Sequence, residues 1–274
     1  MEPLTQLFAR YGRGGPAIEE DAAKGGITIR VYLPAAARVR RARLETGLSL
    51  LSLIQPLVGV EQLEVEEADW ERAWRSHFTV LMIGERLVVK PSWLEYQPRA
   101  RDVVIELDPG MAFGTGHHPT TRMCLVLLER WLRPGMRVLD LGTGSGILAI
   151  AAARLGASGV VAMDNDPLAV RIARSNLKAG LPEGGVRLLR GTLPDPRVGT
   201  SCFDLVVANI TARVIGQKTE ALWEVIRPGG VLITGGIIEG QRQGVEAALT
   251  SAGFRSLAAE LEEDWVTLVA EKTT

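Results

Sequence analysis

Asp140-Leu141-Gly142-Thr143-Gly144-Ser145-Gly146 sets three glycines at alternate positions, directly after an apolar run that ends in an acid. Glycine adopts positive φ and lets a ligand lie against the backbone with no Cβ between them. The next residues, Ile147 to Ala153, read as a helix, so the free N–H groups of a helix start face the turn and suit an anionic or polar ligand. About twenty residues further on, Asp164 closes a second apolar run, where an acid accepts both hydrogen bonds of a ribose diol. Together these residues ask for a ligand that carries a nucleoside.

Spacing narrows the choice. A phosphate-cradling P-loop ends in Gly-Lys-Ser/Thr, and no lysine is present here. A dinucleotide fingerprint, G-x-G-x-x-G, fails because Gly146 falls one position early and Ile147 takes the expected place, which weakens a dehydrogenase. Asp-x-Gly-x-Gly-x-Gly is similar instead to the first motif of class I methyltransferases that use S-adenosylmethionine. A methionine carboxylate and ammonium would then lie over Gly142, Gly144 and Gly146. A bare glycine turn with no ligand is the alternative.

A second unusual stretch runs from Asp108 to Thr121 and holds two histidines, three threonines and a series of glycines and prolines. Long glycine-bearing loops are usually functional. Phe113, Thr115 and His117 are its candidates for cofactor contact. His117 and His118 show no third ligand and adjacent side chains diverge, so no metal is expected and a loop-ordering hydrogen bond is the better reading for at least one of them. Asp166 precedes Pro167 and a helix, and is explained as its N-cap. Thr192 follows the strand Val186 to Leu189, where a crevice-facing loop would meet the adenine. Asn209 ends the strand Cys202 to Ala208.

Elements must hold these residues. Strands are expected near 17–19 and at 27–33, 87–91, 102–107, 138–141, 159–163, 186–189, 202–208 and 231–234, with a final pair near 253–254 and 265–270. Helices are expected at 4–11, 37–54, 121–131, 147–153, 168–179 and 223–227. The alternation predicts an α/β domain with a doubly wound sheet and the ligand over the carboxyl ends of its strands.

The 274 residues suffice for two domains: a small α+β domain over residues 1–60, an acidic connector over 61–78, and a larger domain over 79–274. Residues 1–60 carry eight basic against five acidic side chains, a local +3, with Arg38, Arg40, Arg41 and Arg43 at the start of one helix. Either a solvated helix face or a contact surface for a macromolecular substrate accounts for that group. Over residues 61–72 Glu61, Glu64, Glu66, Glu67, Asp69 and Glu71 oppose only Arg72, and in the connector Trp70 and Trp74 would share a helix face as an anchor. A net charge of −1 argues against bulk nucleic-acid binding. Cys124 and Cys202 lie far apart, without metal or disulfide spacing, and no stretch reads as a signal or membrane span. A cytoplasmic, monomeric protein is expected.

Residues 69–274 resemble the ribosomal protein L11 methyltransferase family, PrmA. The resemblance rests on Gly110 to Thr121, Asp140 to Ile150, Asp164-Asn165-Asp166-Pro167 and Val207-Ala208-Asn209-Ile210, four motifs in the family's order. It implies a Rossmann-like sheet of seven strands beside a small ferredoxin-like N-terminal domain that recognises the ribosomal protein, with S-adenosylmethionine held at Thr121, Gly142, Asp164 and Asn209. The opening strand of the family's βαββαβ unit is expected to be missing or very short here. The implied products are methylated lysine ε-amines and the N-terminal α-amine of one protein, so the two domains are expected to re-orient about the connector.

Amine methylation needs nitrogen, methyl and sulfur in line and an unprotonated amine. Asn209, through its side-chain oxygen, is the candidate for orienting that amine; binding the cofactor only is the other reading. No side chain stands out as general base. A methyltransferase for another protein's lysine keeps the same glycine turn. One acting on nucleic-acid bases would typically carry Asn/Asp-Pro-Pro-aromatic, which Asn209-Ile210-Thr211-Ala212 lacks. A non-catalytic binding module fits the loop and cofactor set poorly.

Overall fold

The computed structural model describes residues 4, 7, 8, 11, 17–21, 26–33, 37–52, 60, 61, 75, 78–108, 114–181 and 183–273. The chain separates into two compact units, Met1–His77 and Phe78–Thr274. The expected connector at 61–78, with Trp70 and Trp74, falls almost wholly outside the described residues.

In the smaller unit, β1 (Ala17–Asp21) and β2 (Gly26–Arg30) pair antiparallel, with Ala17 opposite Arg30. β2 stops at Arg30, three residues before the expected end. Helix α1 (Arg38–Ser52) buries Leu44 and leaves Arg38, Arg40, Arg41 and Arg43 exposed. Arg41 Nε pairs with Glu45 Oε1 one turn on, at 3.0 Å.

The larger unit opens with a three-stranded sheet, β3 (Leu81–Ile83), β4 (Leu87–Lys90) and β5 (Val103–Glu106), in which β3 runs against β4 and β4 runs with β5. β3 was not expected, because three residues are too few to show a period.

Next come helix α2 (Pro119–Trp131), strand β6 (Arg137–Leu141), helix α3 (Ile147–Arg154), strand β7 (Gly159–Asp164), helix α4 (Pro167–Gly180) and strand β8 (Val186–Arg190). The second half gives β9 (Phe203–Asn209), α5 (Ala212–Val225), β10 (Ile226–Ile238), α6 (Arg242–Ser251), β11 (Phe254–Glu262) and β12 (Trp265–Lys272). The expected helix at 223–227 is the tail of the longer α5 and the first turn of β10. α6 was unanticipated: it carries Gly244 and buries only Val245 and Leu249, a stripe too thin to show in the sequence.

Seven strands form one Rossmann-like sheet in the order β11-β12-β10-β9-β6-β7-β8. β10, β9, β6, β7 and β8 are parallel, while β12 and β11 close the edge antiparallel. Alternate residues of each strand enter separate cores. Val138, Val207, Ile233 and Val269 pack with α2, α3 and the small sheet, and Leu139, Val206, Leu232 and Leu268 pack with α5 and α6. Burial on both faces explains why β6 and β9 read as largely apolar runs rather than alternating ones. It also explains α3, whose residues Ile147 to Ala152 are all buried. Chain order reverses between β6 and β9, which opens a crevice at their carboxyl ends.

Candidate active site

Gly142, Gly144 and Gly146 hold φ of 76°, 55° and 90°, so the turn after β6 is built from positions that favour glycine. Gly142 and Thr143 both donate N–H to the Met163 carbonyl, at 2.8 and 2.9 Å, which sews the turn to the end of β7. A Cβ on Gly142 would collide with Ile210, the residue after Asn209, so the first glycine admits the tip of β9. Gly146 differs from Gly142. A Cβ there would make an ordinary contact at 3.5 Å with Ala173 of α4, so its φ of 90° at the start of α3 is what asks for glycine.

Asp164 ends β7 and its two oxygens are held separately. Oδ2 accepts from the Gly144 N–H at 2.9 Å and Oδ1 from the Asp166 N–H at 3.0 Å. Each oxygen keeps a second lone pair, and the carboxylate plane is fixed before any ligand arrives. Gly191 donates to the Asp164 carbonyl at 2.9 Å, which brings the loop carrying Thr192 beside it. Asp166 caps α4 as expected, accepting from Leu168 N–H at 2.8 Å.

Asp140 was passed over in the sequence as the acid before the glycines. It is fully buried, and its Oδ2 accepts from the Thr143 hydroxyl at 2.6 Å. Burial pushes its carboxyl up to about 7, against the hydrogen bond from Thr143 and the Ala149 backbone that lower it, with the nearby Asp164 charge adding a smaller upward push. The other oxygen of Asp140, Oδ1, is buried without a hydrogen-bond partner beneath the start of α3.

The glycine and histidine loop meets this turn. The Ser145 hydroxyl donates to the Gly114 carbonyl at 2.5 Å, and Asn176 Nδ2 holds the Ser145 carbonyl at 2.9 Å. His118 caps α2: its Nδ1 accepts from Thr120 N–H at 3.3 Å and lies 2.8 Å from Thr120 Oγ1, and its ring stands edge-on to Trp265 at 4.8 Å. The His117 ring stands edge-on to Phe78 at 5.4 Å, and its carbonyl accepts from Arg122, which also pairs with Glu262. Desolvation holds both imidazoles below the usual histidine range, so they are neutral near pH 7. Thr115 is half-buried, and its backbone bonds His117. Phe113 lies outside the described residues.

Thr121, buried in the first turn of α2, accepts from Asn209 Nδ2 at 3.4 Å. The Asn209 Oδ1 atom is buried, with no hydrogen-bond partner. In this orientation the carboxamide oxygen faces the protein, so accepting from a substrate amine requires the amide to turn. Gly142, Gly144, Asp164, Thr192 and Asn209 thus lie at or just beyond the carboxyl ends of β6, β7, β8 and β9, and Thr121 reaches Asn209 from the first turn of α2. Sequence reasoning missed Asp140, Ser145 and Ile210. Only Asp140 carried a signal, being an acid inside an otherwise apolar strand.

Residues 11–273 match the family described as ribosomal protein L11 methyltransferase (PrmA). A ribosomal protein L11 methyltransferase of Chloroflexus aurantiacus is 42% identical over 98% of this chain and 93% of its own length. One of Pelotomaculum thermopropionicum is 44% identical over 98% and 94%. The crystal structure of a ribosomal protein L11 methylase from Lactobacillus delbrueckii subsp. bulgaricus superposes with a TM-score of 0.66 at 33% identity, covering 72% of this chain and all of that one.

Proposed function

Since the chain belongs to the ribosomal protein L11 methyltransferase family, we propose that it transfers methyl groups from S-adenosylmethionine to lysine ε-amines and the N-terminal α-amine of ribosomal protein L11. The supporting observation is the locked pair of Asp164 and Gly144 at the switch point, beside the tip that carries Asn209. The donor set fits the cofactor. The cradle at Gly142 and Gly144 is built on positive φ without side chains, and Asp164 offers two oriented acceptors for a ribose diol. Thr192 borders the adenine side, and Thr121 with Asn209 borders the end at which the methyl is delivered. Held at Gly142, Gly144, Asp164 and Thr192, the cofactor would supply an electrophilic sulfonium methyl group to an amine nitrogen, whose proton would be released to solvent.

The residues of the chain bind and align; none of the described side chains in the crevice is placed as a general base. A lysine amine, with a pKa near ~10.4 in water, is driven toward its neutral form as the buried crevice wall removes its solvent. The neutral imidazoles of His117 and His118 add no cation to repel it. Asn209 lines the methyl-delivering end through its Thr121-held amide, and alignment of the amine with methyl and sulfur makes the displacement effectively unimolecular. The small N-terminal unit presents the protein substrate, and Arg38, Arg40, Arg41 and Arg43 form its exposed basic face. We read the enzyme as a cytoplasmic monomer that addresses protein alone. Among the described residues no helix is long and apolar enough to cross a membrane.

The test is incubation with ribosomal protein L11 and methyl-labelled cofactor, followed by peptide mass spectrometry. Label on lysine and the N-terminal amine is expected, and Asp164→Ala should remove it. Label on another lysate protein but none on L11 would overturn the substrate assignment.

A further inference from the structure

Asn209 of β9, Gly235 of β10 and Thr267 of β12 sit on neighbouring strands and on the same face of the sheet. Asn209 is register partner to Gly235, and the flanking residues Val207, Ile233 and Val269 all belong to the core under α2. α2 lays Thr121 and Cys124, one turn apart, over that face. A Cβ on Gly235 would stand 2.8 Å from Cys124 Sγ, 2.9 Å from Asn209 Oδ1 and 3.4 Å from Thr267 Oγ1. Three heteroatoms therefore close around the one position that carries no side chain. Gly235 has no positive φ to explain it, so space is what glycine provides there.

Asn209 Oδ1 and Thr267 Oγ1 are both buried and unbonded in this rotamer set, while Asn209 Nδ2 is committed to Thr121. A buried acceptor is costly to leave unpaired, and the groups that share the space beside Gly235 with it are a hydroxyl and a thiol, the donor types that can pair it. Burial pushes the Cys124 thiol up, so it stays protonated and remains a donor.

We propose that Gly235, Thr267 and Cys124 are positioning residues for Asn209: the glycine leaves the space its carboxamide occupies, and the hydroxyl and thiol hold its oxygen. The plane of the amide at the methyl-delivering end is then set by β10, β12 and α2 rather than by the loop that follows β9. This rests on Asn209 being a cofactor- or amine-contacting residue, and the experiment separates the two ideas.

Cofactor affinity is measured by calorimetry, kcat and KM by methyl transfer to ribosomal protein L11, and the Asn209 side-chain NH2 resonances by NMR on the ligand-free protein. Asn209→Ala is the reference and should cripple cofactor affinity or kcat. Thr267→Val should lower kcat roughly three- to tenfold, the worth of one hydrogen bond. It should leave KM for the protein substrate unchanged and shift the Asn209 NH2 pair, and Thr267→Ser should restore both. Gly235→Ala should weaken cofactor affinity about tenfold or more, since the new methyl displaces Asn209 and Cys124. If that variant fails to fold, the threonine pair decides. Wild-type kinetics and an unmoved NH2 pair in Thr267→Val, with Asn209→Ala crippled, would overturn the seat and leave Asn209 standing. A silent Asn209→Ala would overturn both.

Discussion

Replacing Asp140 by asparagine isolates the charge buried beneath the glycine turn. The folded protein holds this carboxyl at about 7 and the unfolded chain near its ordinary 3.8, so the native state binds the proton more tightly between those values. The acid thus contributes stability fully present below pH 3.8 and lost as pH rises through about 7. A difference of about three pKa units at 1.36 kcal/mol each amounts to about 4 kcal/mol, of which roughly 2–3 kcal/mol disappears between pH 5 and pH 8. That is a large share of the 5–15 kcal/mol typical of a folded domain.

Urea denaturation of wild type and Asp140→Asn at four pH values across that window measures it. The neutral amide still offers Thr143 an acceptor, so the variant should be flatter by roughly 2–3 kcal/mol across the window. His117 and His118 titrate in the same range with opposite sign, since their lowered pKa values make stability fall as pH drops; the difference between the two proteins removes their part. Parallel curves for both proteins would refute the reasoning, because the native carboxyl would then titrate as the unfolded one does.

Asp164→Ala should weaken S-adenosylmethionine binding by roughly a hundredfold, the worth of two hydrogen bonds to a charged group, while calorimetric unfolding without ligand moves by only about 1 kcal/mol. Gly146→Ala should do the reverse: a Cβ at φ 90°, 3.5 Å from Ala173, costs about 1–2 kcal/mol of stability by urea titration and leaves cofactor affinity within twofold. Lys272→Met should destabilise the larger unit by about 1–3 kcal/mol. The buried ammonium donates to the Trp223 and Ile226 carbonyls at 2.7 and 2.8 Å and sits over the Trp223 ring, and removing it strands two carbonyls at the end of α5. Ser145→Ala should speed hydrogen exchange in residues 114–118 without changing exchange in β6, since the Gly114 carbonyl loses its donor.

Local patterns were legible wherever one short stretch carries its own cause. The alternating glycines after β6 need positive φ, Asp166 before Pro167 is a helix cap, and the apolar runs of β6, β7 and β9 are buried on both faces. Elements failed to show where the signal was short or thin. β3 has three residues, α6 has two buried ones, and α5 was recognised only at its last turn.

Asp140, Asp164 and Asn209 mark the division. Residue type and spacing alone determined a nucleotide-binding turn followed by an acid and a strand-end asparagine, because glycine conformation, capping and strand burial are settled within a few neighbours. Tertiary structure alone decided what those side chains became. Asp140 is a raised-pKa carboxyl because β6 is central in the sheet and desolvated. Asp164 is locked because the Gly144 N–H arrives from another loop. The Asn209 oxygen faces inward because Gly235, Cys124 and Thr267 reach it from positions 26 to 85 residues away in the chain. Desolvation and hydrogen-bond partnership depend on who the neighbours are in space, and chain order does not record that.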